Sequence, residues 1–188
     1  MAHVTIAGQA VRSSDELPEF AANPVNGNLY AVWQDKRFSA AGNSKIAFSQ
    51  STDGGLHWSA PIRVDQSPGD DPAFTPQVHV AADGTVGLSY YDTENATPSQ
   101  PGLTDAFIAH CHSATSDCTN PASWAAGGET RLSTTGSFDM TTAPVADCLF
   151  VGDYEGLTSS GARFLAFFVM SQPIATTRRT DVFSNTAS

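Results

Sequence analysis

Ser49-Gln50-Ser51-Thr52-Asp53-Gly54-Gly55-Leu56-His57-Trp58-Ser59-Ala60-Pro61-Ile62-Arg63-Val64 reads as two strands joined by a tight turn. Ile46 and Phe48, then Ile62 and Val64, alternate with other neighbours in the period-two pattern of a half-buried strand. Asp53 can accept hydrogen bonds from the backbone N–H groups that follow it, and Gly54 and Gly55 are free to take positive φ. Trp58 is spaced to fold its ring back over that turn.

Working outward, the same unit recurs. Asn26-Gly27-Asn28-Leu29-Tyr30-Ala31-Val32-Trp33-Gln34-Asp35 matches Asp83-Gly84-Thr85-Val86-Gly87-Leu88-Ser89-Tyr90-Tyr91-Asp92: a turn, an aromatic-rich strand and a closing Asp. A third copy, 160–169, lacks the Asp. Short strand candidates precede each copy at 18–22, 77–81 and 149–152, and others follow at 45–49, 105–110 and 181–185. The first two units add a fourth strand at 62–64 and 129–132, whereas the third runs out of chain. Repeats of roughly sixty residues, each a four-strand antiparallel meander, are the signature of propeller blades. The fold class is therefore all-β, a propeller with three blades per chain, half of a six-bladed ring. The expected organisation is one domain: blades over 13–66, 67–134 and 135–188, the last incomplete, with 1–12 as a closing outer strand. An open fan leaves an apolar face uncovered on each side. Residues 3–12 resemble an outer strand, so two chains exchanging it would close the ring with two-fold symmetry. The alternative is the C-terminal half of a longer propeller, with its upstream blades missing.

The bulk numbers narrow the partners. A formal charge of −10 and a pI near 4.6 oppose binding to nucleic acid or to an anionic membrane surface. No apolar run approaches a membrane span, and the start, 1–5, lacks the basic and apolar regions of a signal peptide. Cys111 and Cys118 flank a polar turn and are spaced for a disulfide in an oxidising compartment, with free or metal-binding thiols the alternatives. Cys148 stands in an apolar context that predicts a buried small side chain.

The spacing Ser51-x-Asp53-x-Gly55-x-x-Trp58 resembles the Asp-box, or bacterial neuraminidase repeat. Together with the runs 73–86, Tyr90-Tyr91-Asp92, Arg131-Leu132-Ser133, Ser137-Phe138-Asp139-Met140 and 152–157, it makes nearly the whole chain similar to bacterial sialidase-like proteins, in their latter half. That resemblance implies a six-bladed sialidase-type propeller, an exo-sialidase activity and an extracellular setting. It makes Ser51, Asp53, Gly55 and Trp58 a structural staple between the third and fourth strands of a blade.

A meander alternates its turns between two rims. The rim opposite Asp53 collects Asp35, Arg37, Asp70, Asp71, Phe74, Tyr91, Asp92, Asp139, Asp153, Tyr154, Arg178 and Arg179. A sialidase needs arginines to clamp a carboxylate, an activated Tyr nucleophile and an acid/base carboxyl. The pattern assigns catalysis to Asp92, Tyr154 and Asp153, and substrate contact to Asp35, Arg37, Phe74, Tyr91, Arg178 and Arg179. Glu155 adjoins Tyr154, so on one strand the two would face opposite sides. Asp35 and Asp92 have a competing role as strand-end caps, and Tyr90, Trp33 and Phe168 share a blade-packing position. No cofactor is implied; Asp70-Asp71 with loop carbonyls is a candidate Ca²⁺ site, a solvated acidic loop the alternative. The Phe/Tyr-Arg-Ile-Pro motif of sialidases is absent, and Arg12, Arg63 and Arg131 fall on outer strands. A non-catalytic propeller that binds glycans or proteins at its acidic rim is therefore the second functional class.

Overall fold

A computed structural model describes residues 4–13, 17–174 and 177–188. Its strands are β1 (Val4–Ile6), β2 (Gln9–Arg12), β3 (Glu19–Ala22), β4 (Leu29–Asp35), β5 (Lys45–Ser51), β6 (Ile62–Arg63), β7 (Ala73–Val80), β8 (Thr85–Asp92) and β9 (Leu103–His112). They continue with β10 (Glu129–Arg131), β11 (Phe138–Asp139), β12 (Val145–Ala146), β13 (Cys148–Phe150), β14 (Gly156–Ser160), β15 (Arg163–Ser171) and β16 (Thr180–Ala187). One α-helix, α1 (Pro121–Gly127), interrupts them; Asn120 caps it by accepting from the Ala122 N–H.

Three sheets run in chain order as antiparallel meanders: β3-β4-β5-β6, β7-β8-β9-β10 and β14-β15-β16. The strand periods seen in the sequence are realised within one or two residues at most positions. Two differences concern the ends of the chain. The strand expected at 149–152 to open the third unit is β13, outside that meander, and Gly156–Ser160 takes its place. The expected outer strand at 1–12 is a hairpin over its described residues, and β2 pairs in parallel with β13 (Val11 opposite Leu149) within the same chain; residues 1–3 lie outside the described residues. The physical reason is apolar. Val4, Ile6 and Val11 bury against Phe74, Tyr91, Leu149 and Val151, contacts that an outermost strand would forfeit.

The turn from Ser51 to Trp58 is held by its own side chains. Ser51 Oγ accepts from the Gly55 N–H (2.9 Å) and donates to Asp53 Oδ1 (2.9 Å). Asp53 Oδ1 accepts from the His57 N–H (2.9 Å), and Trp58 Nε1 donates to Gly55 O (3.2 Å). Gly54 and Gly55 take φ of +74° and +91°, which a Cβ would disfavour. Cys111 and Cys118 form a disulfide beside buried Trp124, whose Nε1 donates to Cys118 O (2.9 Å). Cys148 is half-buried, not buried, because side chains alternate along β13 and Leu149 takes the core-facing position.

Two apolar cores separate the three sheets. Tyr30, Val32, Ile46 and Phe48 of the first sheet meet Val86, Leu88, Tyr90 and Trp124. On the other side Tyr91, Ile108 and Leu132 meet Phe164, Ala166, Phe168 and Met170. All eight residues of β8 are therefore buried. The outer faces stay open: Phe20 is 61% and Trp58 39% exposed on the first sheet, Phe167 44% and Val182 72% on the third.

Tyr91 pins the second sheet to the third. Its hydroxyl contacts Glu155 Oε1 (2.9 Å) and Val169 O (2.7 Å), and accepts from the Val169 N–H (2.8 Å). One hydroxyl proton cannot serve two acceptors, so a protonated Glu155 completes the set by donating. Burial pushes Glu155 up to about 8, consistent with that proton. Tyr91→Phe strands Glu155 and both Val169 groups, and is expected to cost about 2–3 kcal/mol in urea unfolding. An unchanged unfolding midpoint would remove the pin.

Candidate functional site

The second strand of each of the first two sheets ends in an Asp that caps the following loop. Asp35 Oδ1 accepts from the Arg37 N–H (2.9 Å) and Asp92 Oδ1 from the Glu94 N–H (2.6 Å). Asp35 also takes the Arg37 guanidinium (Nε, 2.9 Å) and Trp33 Nε1 (3.0 Å). Burial alone would raise the Asp35 carboxyl, but the Arg37 and Trp33 bonds outweigh it and hold the carboxyl below its ordinary range. Arg37 is thus engaged by its own loop.

Asp35 stands opposite Lys45, and Asp92 stands opposite Asp105, so Lys45 and Asp105 are equivalent positions of opposite charge. The ion pairs rearrange to suit. In the second sheet Arg131 reaches across to Asp105 Oδ1 (2.6 Å), which also accepts from Ser133 Oγ (2.6 Å). In the first sheet a lysine holds that place, and Arg63 turns to Asp65 (2.7 Å), whose other oxygen accepts from the Ile46 N–H (2.8 Å). Lys45 is fully buried, and burial lowers its pKa while the Asp65 charge opposes the shift. Its Nζ donates to Gly69 O (3.2 Å) and to Asp71 O. The ammonium therefore takes two loop carbonyls next to the Asp70-Asp71 pair considered for Ca²⁺, and Asp70 Oδ2 accepts from the Ala41 N–H (3.0 Å). Among the described residues, no three or more His, Cys, Asp or Glu side chains gather to hold a metal.

Asp92 sits at the far end of this network. It is 1% exposed; Ser67 Oγ approaches Oδ1 at 3.4 Å, and Oδ2 has no hydrogen-bond partner. Burial, reinforced by the charge of Asp65, pushes its carboxyl up to about 8. At neutral pH this group carries a proton.

The remaining candidates are dispersed. Asp153 binds the Arg12 guanidinium (2.7 and 3.2 Å), while Tyr154 is exposed, and no hydrogen bond joins Tyr154 to Asp92. Phe74 and Tyr91 are buried and stacked, ring centroids 5.3 Å apart, within the core. Arg178 Nη1 donates to Thr141 O (2.6 Å) and Ala143 O (2.8 Å), and Arg179 pairs with Asp181 (3.3 Å). Two Tyr–Glu contacts form, Tyr90 with Glu129 and Tyr91 with Glu155, both through buried phenols and neither involving Tyr154.

A groove of about 600 Å³ opens between the second and third sheets, on the rim opposite the Ser51–Trp58 turn. Gln100, Ser137, Asp139, Thr142, Ser171 and Gln172 supply its polar lining, with Phe138, Met170 and Phe183 beneath. The sequence patterns single out Asp139 as a rim residue but do not bring these residues together. A signal existed: Gln100 and Gln172 lie in equivalent loops, each following the second strand of its sheet.

No protein-family model matches the sequence, and no curated protein matches it. Among solved structures the chain is similar to a GH43_12 protein retrieved from capybara gut metagenome, with a TM-score of 0.52 and 12% identity over 97% of this chain and 29% of that one. It is also similar to the Penicillium chrysogenum alpha-L-arabinanase complexed with arabinobiose, with a TM-score of 0.50 and 14% identity over 90% of this chain and 46% of that one. The chain thus spans less than half the length of either. At these identities the likeness is one of fold: the meander sheets form a β-propeller architecture of the kind found in glycoside hydrolases.

The raised Asp92 carboxyl has a signed consequence. The folded state binds its proton more tightly than the unfolded state, so its contribution is full below about pH 4 and lost as pH rises toward 8. The slope approaches ~1.4 kcal/mol per pH unit for one buried group. Asp92→Asn is expected to gain stability relative to the parent steadily between pH 5 and pH 8 in thermal melts. A constant difference across that range would contradict the assignment.

Proposed function

We propose that the chain is a glycan-binding part of a secreted β-propeller, its three meander sheets acting as three blades of a larger ring. The observation that carries this is the groove of about 600 Å³, lined by amides, hydroxyls and a carboxylate, on the propeller rim. The exposed Phe20, Trp58, Phe167 and Val182 support further blades on either side, supplied by a second copy or by the rest of a longer chain. The disulfide supports an oxidising compartment. Among the described residues no helix is long and apolar enough to cross a membrane.

Sialidase-type hydrolysis by Asp92, Tyr154 and Asp153 is the second reading. It is favoured by a carboxyl that holds its proton at neutral pH, as a general acid must. Burial of Asp92 and the engagement of Arg37 by Asp35 weigh for binding over hydrolysis. A glycan array is expected to show retention of at least one oligosaccharide, and 4-methylumbelliferyl sialoside is expected to release no fluorophore. Turnover lost in Tyr154→Phe would reverse that preference; a blank array together with no turnover would end both readings.

A further inference from the structure

Resting on the glycan-binding reading, we propose that the groove between the second and third sheets takes a neutral oligosaccharide and discriminates against sialosides. Its polar lining offers donors and acceptors without a cation. Gln100 and Gln172 line it, and neither carboxamide holds a hydrogen bond among the described residues, so both can meet ligand hydroxyls. Asp139 contributes the lining's one charge. Its Oδ1 accepts from the Thr141 N–H (2.9 Å) and Oγ1 (2.7 Å), which fixes the carboxylate and leaves Oδ2 to a ligand. The close packing of Gly102 maintains that position: a Cβ there would lie 2.1 Å from Asp139 Oδ1.

Two guanidinium groups come near, and each has a partner. Arg131 Nη2 touches the outer side of the lining through Ser137 Oγ (3.0 Å) but is paired with Asp105 (2.6 Å). Arg178 spends Nη1 on Thr141 O and Ala143 O. A sialoside carboxylate entering the groove would face Asp139, a charge of its own sign, on a chain of formal charge −10. A neutral sugar meets no such repulsion. Its hydroxyls suit the carboxylate and amides, and its C–H face suits the half-buried ring of Phe183, which stacks on Phe168 at 6.2 Å. The volume lies within the usual range for small-ligand sites, roughly 300–1,000 Å³.

Calorimetric titration of the full chain with arabinobiose, xylobiose, lactose and 3′-sialyllactose tests this, with Asp139→Asn and Gln172→Ala as variants. At least one neutral disaccharide is expected to bind, and each variant to weaken it about tenfold, the loss of one ligand hydrogen bond. Sialyllactose is expected to bind no more tightly than lactose. Thermal melts confirm folding; if Asp139→Asn does not fold, the surface change Gln172→Ala decides alone. Sialyllactose binding above lactose, lost in Arg178→Ala, overturns the proposal. Neutral binding unchanged in the folded variants removes the groove and leaves glycan binding intact, whereas no binding of any probe removes both.

Discussion

The second sheet is covered on both faces, and the rest of the molecule is arranged around that fact. Consecutive residues Tyr90 and Tyr91 on β8 point opposite ways, as strand geometry requires. Tyr90 enters the core shared with the first sheet, accepts from the Gln66 N–H and bonds Glu129. Tyr91 enters the core shared with the third and bonds Glu155 and the Val169 backbone. Each buried phenol thus meets a carboxyl and a backbone group, which secures polar atoms that burial would otherwise make costly. Three sheets are locked in angular order by two adjacent side chains.

Burial on that scale also determines which acids can act. The strand-end carboxyls look alike in sequence, yet Asp35 is held ionised by Arg37 while Asp92 retains a proton. The difference lies in the neighbours, not in the motif. Lys45 and Asp105 exchange charge at an equivalent position, and the arginines of the outer strands follow. The same architecture therefore carries two different electrostatic networks. Asp105 gathers Arg131, Ser133, Ser137 and Asn95 around one carboxylate.

The N-terminal hairpin changes what the rim can present. β1 and β2 join β13 and β12 in one mixed sheet, fastened by the Arg12–Asp153 pair. Asp153, a rim candidate from topology, thereby becomes a tether. The open groove lies instead between loops of the second and third sheets, where Gln100 and Gln172 converge.

Sequence alone determined the meander of the first two sheets, the turn at 51–58 and the dominance of strands, because alternation and turn chemistry are local. Ser51, Asp53, Gly55 and Trp58 interact within eight residues, whereas the spacing of Cys111 and Cys118 left free or metal-binding thiols open until the structure joined them. Tertiary structure decided the parallel pairing of β2 with β13, which brings Val11 opposite Leu149 from near the two ends of the chain. It also decided the burial of Asp92 and the convergence of the groove. Those outcomes depend on which apolar surfaces find one another and which charges share a low-dielectric space, and no local spacing encodes either.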